Sequence, residues 1–386
     1  MKTIGIICEY NPFHLGHQKQ IDHIHAVFGP DAVIVCLMSG NFVQRGKPAI
    51  FDKSLRAQAA IDCGADLVLE LPVTNTLFSA EGFAASGVQI LSPFCDYLCF
   101  GSETGDADSL MSIAQALLRP EFGPLLRKEL ESGCSFAVAR DLALERMGAD
   151  PSLLKNPNDI LAVEYCKAIL SQNSTMKLLP IRREGSYHDA TPDAENPSAT
   201  SVRRLISKNQ PWDAYVPTAA REVFHNAPIH TLSAGERAML ARLRTMSDED
   251  FETLPYGSEG LWRKLMHACR ENATLEEILT ATKSKRYTRT RLDRMVMCAY
   301  LGITEELLCS PVPYVRVLGL RSSGIPALKK ARETGFFPHI GEKTGLDYDK
   351  FEQRWDDLFG LFCQDAPSSA GQTEKRRIYL CEKLKK

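Results

Sequence analysis

The chain has 386 residues, of which 44% are hydrophobic and 24% are charged, and its formal net charge is −2. This composition is that of an ordinary globular protein and excludes general disorder, while the length allows a large core and predicts two domains. Because the net charge is close to zero, nucleic-acid binding can be argued only from a local basic patch.

The twelve cysteines are scattered along the chain, and most lie within apolar runs. The closest pair is Cys95 and Cys99, and the paired spacings of a zinc site do not occur, so we predict reduced thiols and no protein-built metal site. The first residues lack the charged and apolar regions of a signal peptide, and no apolar stretch reaches transmembrane length. We therefore expect a soluble, cytoplasmic protein with no membrane partner.

The first half of the chain alternates short apolar segments with amphipathic ones. Strands are predicted over residues 3–7, 32–38, 65–72, 96–100 and 176–181, and helices over 14–27, 51–60, 79–90 and 158–169, with another helix beginning at 198. Strands that alternate with helices are typical of βαβ units and a parallel sheet. We therefore predict a Rossmann-like α/β domain over residues 1–208, whose ligands lie beyond the carboxyl ends of the strands.

Three side chains in these elements carry further expectations. Lys53 and Arg56 are three residues apart and are expected on the polar face of their helix. Asn158 is a candidate N-cap of the helix that follows it.

The first predicted strand ends in the sequence Glu-Tyr-Asn-Pro-Phe-His-Leu-Gly-His, residues 9–17. His14 and His17 share one face of the predicted helical turn, and Gly16 lets a ligand approach the backbone. The N-terminus of a helix favours an anion, and phosphate is its usual guest. Histidines in this pattern also fit a plain surface turn. Their position after the first strand favours a nucleotide site, and the pattern resembles the His-x-Gly-His signature of the nucleotidyltransferase superfamily that includes class I aminoacyl-tRNA synthetases.

Two more segments at the predicted ligand edge carry suitable side chains. The loop 39–46 is polar and contains Gln44 and Arg45; it fits either a solvated loop or a substrate contact. A Ser/Thr cluster at the helix start near 198–201 precedes Arg203, and hydroxyls, backbone N–H groups and a guanidinium together suit a triphosphate. Ordinary helix capping by Ser198 or Thr200 is the alternative.

Beyond residue 208 the alternation of strands and helices ends, and we predict a mainly α-helical domain over 209–386. Residues 283–294 hold six basic side chains against the single acid Asp293, and Tyr287 lies among them. A run of this kind is typical of a solvated helix face, and it equally fits contacts with an RNA backbone and a stacked base.

Several segments in this order resemble the bacterial tRNA(Met) cytidine acetate ligase family, TmcAL. The segments are 9–17, 38–46, 64–72, 100–103, 156–161 and 198–203, joined by 259–261 and 285–288 in the second half. The resemblance therefore extends over essentially the full length. One departure is Leu15, which stands where asparagine is common in the family.

The resemblance implies that ATP and acetate form acetyl-adenylate and pyrophosphate. The acetyl group then passes to the exocyclic amine of the wobble cytidine in elongator tRNA(Met), giving N4-acetylcytidine. The ATP-binding positions of the family fall here on Ile7, Cys8, Glu9, Tyr10, Asn11, Pro12, Phe13, His14, Gly16, His17, Gln18, Gly101, Asn158, Arg183 and Glu184. Because the arginine is doubled, either Arg182 or Arg183 holds the equivalent place.

Adenylation suits this site because acetate is a poor electrophile until its oxygen becomes part of a phosphate leaving group. The step needs alignment and stabilisation of charge on the phosphates, and no covalent enzyme nucleophile. We expect His14 and His17 at the α- and β-phosphates, with Arg203 and Ser201 toward the leaving pyrophosphate. Mg²⁺ is expected with ATP, with phosphate oxygens as its ligands.

The helical second half is the expected platform for tRNA. The side chains expected to bind it are Lys283, Lys285, Arg286, Tyr287, Arg289 and Arg291. Two other functions share parts of this pattern. An adenylyltransferase for a small cofactor precursor would need no basic helical domain, and a non-enzymatic RNA-binding protein on the same scaffold would be expected to lack a histidine or Arg203. The sequence indicates no oligomeric state.

Overall fold

The computed structural model describes residues 1–183, 193, 196–336, 338–339, 345–366, 368, 370–371, 373 and 377–381. Its strands are β1 (Thr3–Cys8), β2 (Val33–Ser39), β3 (Phe42–Val43), β4 (Lys47–Pro48), β5 (Leu67–Leu71), β6 (Tyr97–Ser102), β7 (Lys177–Arg182), β8 (Val317–Leu320) and β9 (Tyr379–Leu380). Seven of them form one sheet in the order β7-β6-β1-β2-β5-β8-β9, and β3 and β4 form a separate antiparallel hairpin.

The helices of the first half are α1 (Leu15–Phe28), α2 (Lys53–Asp62), α3 (Val73–Thr76), α4 (Ala80–Leu91), α5 (Ala107–Leu118), α6 (Phe122–Glu131), α7 (Phe136–Arg146), α8 (Pro157–Ser171) and α9 (Ala199–Ser207). Those of the second half are α10 (Thr218–Phe224), α11 (Leu232–Thr245), α12 (Asp248–Glu252), α13 (Leu261–Glu271), α14 (Leu275–Thr282), α15 (Arg289–Leu301), α16 (Glu305–Cys309), α17 (Ile325–Glu333) and α18 (Tyr348–Gly360). Short 3₁₀ turns occur at Pro151–Lys155, Asp213–Tyr215 and Ser322–Gly324.

The sheet is covered on both faces because its central strands are apolar on both sides. In β2, Val33, Val35 and Leu37 face one layer, which contains α4, α5, α8 and α17. Ile34 and Cys36 face the opposite layer, which contains α1, α2, α9 and α10. Successive side chains of the strand thus point into two separate cores, as expected for a buried parallel strand.

A third core lies among the helices of the second half. It contains apolar side chains of α11, α13, α14, α15, α16 and α18, and it includes Phe42 of β3 and Leu77, which follows α3. The helical part therefore packs directly on loops at the carboxyl edge of the sheet.

The α/β class with a parallel sheet and a mainly helical second half is confirmed, and the predicted first-half strands and helices start and end close to the observed ones. The hairpin of β3 and β4 was not predicted, nor were two strands of the main sheet. β8 pairs antiparallel with β5, and β9 pairs with β8, so the second half contributes two strands to the sheet of the first. The division at residue 208 stays a prediction.

The structure corrects two expectations about single side chains. Lys53 and Arg56 are buried, at 4% and 0% exposure, rather than on a polar face. Lys53 forms an ion pair with Glu70, the two charged atoms lying 2.7 Å apart. The N-cap of α8 is Asn156 rather than Asn158, because Pro157 takes the first helical position, where its missing N–H costs nothing.

None of the helices in the described ranges is both long enough and apolar enough to cross a membrane.

Candidate active site

The candidate site lies where the order of strands reverses. The chain passes from β1 to β2 and β5 on one side, then returns to β6 and β7 on the other, so the crevice opens between the carboxyl ends of β1 and β6. Ligands of open α/β sheets bind at such a switch point. A cavity of about 230 Å³ lies there, and a second of about 280 Å³ adjoins it. The two share His17, Gln20, Gly101 and Arg183, and we call them together the cleft.

His14 and His17 hold the first turn of α1 by capping each other's backbone. The Nδ1 atom of His14 accepts a hydrogen bond from the N–H of Gly16 (3.1 Å), and Nδ1 of His17 accepts one from the N–H of His14 (3.2 Å). The two rings stack with centroids 3.8 Å apart. A neutral imidazole has one N–H, and Nδ1 is an acceptor in both rings, so the proton lies on Nε2 in both.

Both histidines are kept neutral by their surroundings. Burial, together with repulsion from Arg183 and Arg203, lowers the pKa of His14 to about 3. The pKa of His17 is also held well below its usual range, by removal from water and then by His14 and Arg183. The pair therefore offers two N–H donors without positive charge, and the positive charge of the cleft comes from its arginines and Lys19.

Arg203 joins α9 to the turn that contains the histidines. Its Nη1 donates to the carbonyl of Asn11 (2.6 Å), and its Nη2 donates to Oγ1 of Thr200 (3.0 Å). Ser198 caps α9 by accepting from the N–H of Ser201 (3.1 Å). Both Ser198 and Thr200 line the cleft with Arg203.

The far wall of the cleft is held by Glu103. Its carboxylate accepts from the Asn158 side chain (2.7 Å) and from the N–H of Asp159 (2.8 Å), so it satisfies the N-terminus of α8. Asn158 in turn accepts from Nη1 of Arg183 (3.2 Å). Gly101 lies beside them, and a Cβ there would lie 2.7 Å from Cδ of Arg183 and would displace this exposed side chain.

Arg56 supports the cleft from below, at the carboxyl ends of β1 and β2. Its guanidinium donates to the carbonyls of Glu9 (2.5 Å), Ser39 (3.1 Å) and Gly40, and its Nε donates to the carbonyl of Phe51 (2.9 Å). Burial lowers the pKa of Arg56 to about 10, so it remains charged at neutral pH. One buried side chain thus fixes the start of the histidine turn relative to the loop after β2.

Most of the predicted nucleotide-binding residues line the cleft. They are Ile7, Cys8, Glu9, Tyr10, Asn11, His14, Gly16, His17, Gly101, Asn158, Arg183 and Arg203. Between the doubled arginines, Arg183 contacts Asn158 and lines both cavities, whereas Arg182 lines one.

Four predicted residues lie behind the cleft wall. Pro12 and Phe13 are buried, Gln18 donates to Asp22 and to the carbonyl of Cys63, and Ser201 is 3% exposed and donates to the carbonyl of Ser198. Glu184 lies outside the described residues.

Other residues of the cleft were not predicted. Phe100, Leu161 and Tyr165 form an apolar wall. Leu161 and Tyr165 follow Asn158 at helical spacings of three and seven residues, so the shared helix face was a usable signal. Glu103 bonds to Asn158, 55 residues away, and Arg56 bonds to Glu9, 47 residues away, and no local pattern reveals such contacts.

The basic run in the second half is partly paired with acids from other elements. Arg286 and Tyr287 both bond to Glu259, at 2.6 and 3.0 Å. Arg289 makes two bonds to Glu276 (2.7 and 2.6 Å), and Arg291 donates to the carbonyl of Tyr256 (2.8 Å). Lys283 and Lys285 are exposed.

Among the described residues, no three His, Cys, Asp or Glu side chains come together in a way that could hold a metal ion.

Comparison with known proteins finds many relatives of this chain. The family model described as HIGH Nucleotidyl Transferase matches residues 1–367. A tRNA(Met) cytidine acetate ligase of Acetivibrio thermocellus is 35% identical over 366 residues, which cover 88% of each chain. A protein of the same name from Thermosipho melanesiensis is 34% identical over 363 residues, covering 89% of this chain and 85% of that protein.

Two solved structures are similar over almost the whole chain. The crystal structure of apo Thermotoga maritima TmcAL has a TM-score of 0.88 and 27% identity, covering 98% of this chain and 99% of that one. The structure of the same protein bound with alpha-thio ATP has a TM-score of 0.87 and 27% identity, covering 98% of this chain and 100% of that one.

Proposed function

This chain belongs to the HIGH nucleotidyl transferases and, within them, to the tRNA(Met) cytidine acetate ligase family, and from that premise we propose that it uses ATP to attach acetate to the wobble cytidine of elongator tRNA(Met). An oxygen of acetate attacks the α-phosphorus of ATP, the bond to pyrophosphate breaks, and acetyl-adenylate forms. The N4 amine of the cytidine then attacks the acetyl carbon, AMP leaves, and the amine loses a proton.

The observation that carries this proposal is the histidine pair at the switch point of the sheet. His14 and His17 lie together at the first turn of α1, where the helix dipole favours an anion. Donors fixed before the reaction stabilise charge as it develops on the phosphates without further rearrangement. The solved TmcAL bound with alpha-thio ATP supports ATP as the ligand of this fold.

We assign the two histidines to the α- and β-phosphates through their Nε2–H groups. Because they are neutral, they donate hydrogen bonds without forming ion pairs that would hold ATP as tightly as the transition state. Arg203 supplies positive charge toward the leaving pyrophosphate, since its guanidinium is held in place by the carbonyl of Asn11. Ser201 was predicted to point toward the pyrophosphate, but its hydroxyl donates to the carbonyl of Ser198, so in this proposal it shapes the turn at the start of α9.

The opposite wall holds the nucleoside part of ATP in this proposal. Arg183 donates to Asn158, and Asn158 donates to Glu103, so these side chains are positioned before ATP arrives. Gly101 leaves room for a ribose or base against the strand end. Mg²⁺ accompanies ATP with phosphate oxygens as ligands, because the described residues provide no acidic cage for it.

The second half binds the tRNA in this proposal, and the first half performs the chemistry. Lys283, Lys285, Arg286, Tyr287, Arg289 and Arg291 provide the local basic surface that the near-zero net charge otherwise lacks. All twelve cysteines are free thiols. This is consistent with a protein that acts on tRNA in the reducing cytoplasm.

Acetate-dependent exchange of labelled pyrophosphate into ATP tests the first step by itself. We expect label in ATP only when acetate and Mg²⁺ are present. Exchange that does not depend on acetate but requires a small nucleotide or cofactor precursor would instead indicate the alternative adenylyltransferase.

A further inference from the structure

A polar groove of about 670 Å³ lies in the second half, and the proposed reaction steps do not use it. It runs between the segment 252–259 and the helices α13 and α15. Its walls include Tyr256, Trp262, Arg291 and Arg294.

Arg294 in this groove is buried without full satisfaction of its donors. The residue is 8% exposed, and its Nε finds no hydrogen-bond partner among the described residues. Its guanidinium lies 5.1 Å from the ring centre of Tyr256. A buried donor without a partner costs free energy, and native proteins usually satisfy such a group with water or a ligand. The groove is therefore built to receive a polar guest.

The charges of the groove favour a nucleobase over a simple anion. Two guanidinium groups, of Arg291 and Arg294, face three carboxylates, of Glu252, Glu259 and Glu305. This balance gives no net attraction for phosphate. Because Arg291 and Glu259 already have protein partners, the groups offered to the edge of a base are the donor of Arg294 and the carboxylates of Glu252 and Glu305. Tyr256 and Trp262 add aromatic rings of the kind on which unpaired bases stack.

The groove is connected to the cleft through a short series of contacts. Glu9, in the cleft wall, accepts from the N–H of Gln44 (3.1 Å), and the Gln44 side chain donates to the carbonyl of Phe78 (3.2 Å). The hydroxyl of Tyr256 donates to the neighbouring carbonyl of Leu77 (2.6 Å). The loop between β3 and β4 fills the space between them, since a Cβ on Gly46 would lie 2.5 Å from the backbone N of Arg294.

We infer that this groove binds an unpaired nucleotide of the tRNA, close in sequence to the cytidine that enters the cleft. The inference rests on the proposed function and adds a second contact for the splayed anticodon loop. It gives Trp262 and Arg294 a role in binding RNA, while adenylate formation takes place without them.

The test uses the full chain and the anticodon stem-loop of elongator tRNA(Met) as an RNA oligonucleotide. We expect Trp262→Ala to weaken the Kd about tenfold or more, the usual loss for one stacked base, and Trp262→Phe to stay close to the unchanged protein. Acetate-dependent ATP–pyrophosphate exchange should be unaffected in both. Arg270→Ala is the matched control, because Arg270 is exposed and pairs with Asp248 away from the groove.

A second measurement does not depend on the folding of the alanine variant. Stacking of a base should quench tryptophan fluorescence on RNA binding, and this quench should vanish in Trp262→Phe and persist in Trp212→Phe. An unchanged Kd in Trp262→Ala, or a quench that persists in Trp262→Phe, would rule out nucleotide binding in the groove. The proposed ligase reaction would still stand. Failure of the unchanged protein to bind the stem-loop at all, with no acetate-dependent exchange, would overturn both.

Discussion

At the scale of single residues, the cleft depends on groups whose partners fix their chemical state. His14 and His17 each accept a backbone hydrogen bond through Nδ1, so both present Nε2–H. The sequence motif predicted the pair and its place after the first strand. It could not predict the neutral state of the pair, because that state depends on burial and on Arg183 and Arg203, which are distant in sequence.

Replacing His17 tests its proposed role at the phosphates. We expect His17→Ala to lower acetate-dependent ATP–pyrophosphate exchange at least about a hundredfold, the usual loss for one preorganised donor, while the chain still folds and loses about 0.5–2 kcal/mol of stability with the helix cap. His25→Ala is the control, since His25 lies on the same helix near its last turn. Exchange at the unchanged rate in the His17 variant would rule out a role of His17 at the phosphates.

The pH dependence of exchange follows from the lowered pKa values. An ordinary histidine charges near pH 6.5, but His14 does so near pH 3 and His17 well below its usual range. We therefore expect the rate to stay level as the pH falls from 8 to 6. An inflection close to pH 6.5 that disappears in His17→Ala would contradict the neutral pair.

The same shifts link protonation to stability. The unfolded chain takes up these protons at a higher pH than the folded one, so the pair's contribution to the free energy of unfolding is lost as the pH falls below about 6.5.

At the scale of helices and strands, the apolar pattern predicted most of the first half, because buried parallel strands and amphipathic helices differ in length and period. β8 and β9 have four and two residues, which is too short to stand out from the helices around them. Lys53 and Arg56 were placed on the wrong face, because long charged side chains are rarely buried and their partners come from other segments.

Arg56 offers a direct test at this scale, because it ties α2 to the ends of β1 and β2. We expect Arg56→Met to lower the free energy of unfolding by at least about 3 kcal/mol, since each buried carbonyl left without a donor costs about 1–3 kcal/mol. Urea denaturation measures this. The exposed Arg204 provides a control, whose change to Met should stay within about 0.5 kcal/mol.

At the scale of the whole molecule, one sheet is shared by both halves of the chain. β8 closes the edge of β5, and Glu70 in β5 reaches Lys53, which also lies 3.2 Å from Asp356 of α18. The helical part is therefore fixed against the carboxyl edge of the sheet, where the cleft opens. Local sequence patterns give no information about this docking, because it depends on contacts across some 300 residues.

The basic surface can be tested through the salt dependence of tRNA binding. Lys283 and Lys285 are exposed, whereas Arg289 also holds Glu276 and Asp293. Replacing both lysines by alanine should reduce the slope of log affinity against log salt by about one for each lost phosphate contact. Arg127 and Lys128, exposed on α6, serve as the matched pair. Equal slopes in both double variants would exclude Lys283 and Lys285 from the RNA contact.

The most direct measurement combines the purified chain with labelled acetate, ATP, Mg²⁺ and elongator tRNA(Met), followed by nucleoside analysis of the tRNA. The cleft and the basic helical half together predict label in N4-acetylcytidine, lost when ATP is omitted. Acetate-dependent AMP without labelled cytidine would show that the first step is right and the acceptor wrong. The absence of both products would contradict the ligase assignment.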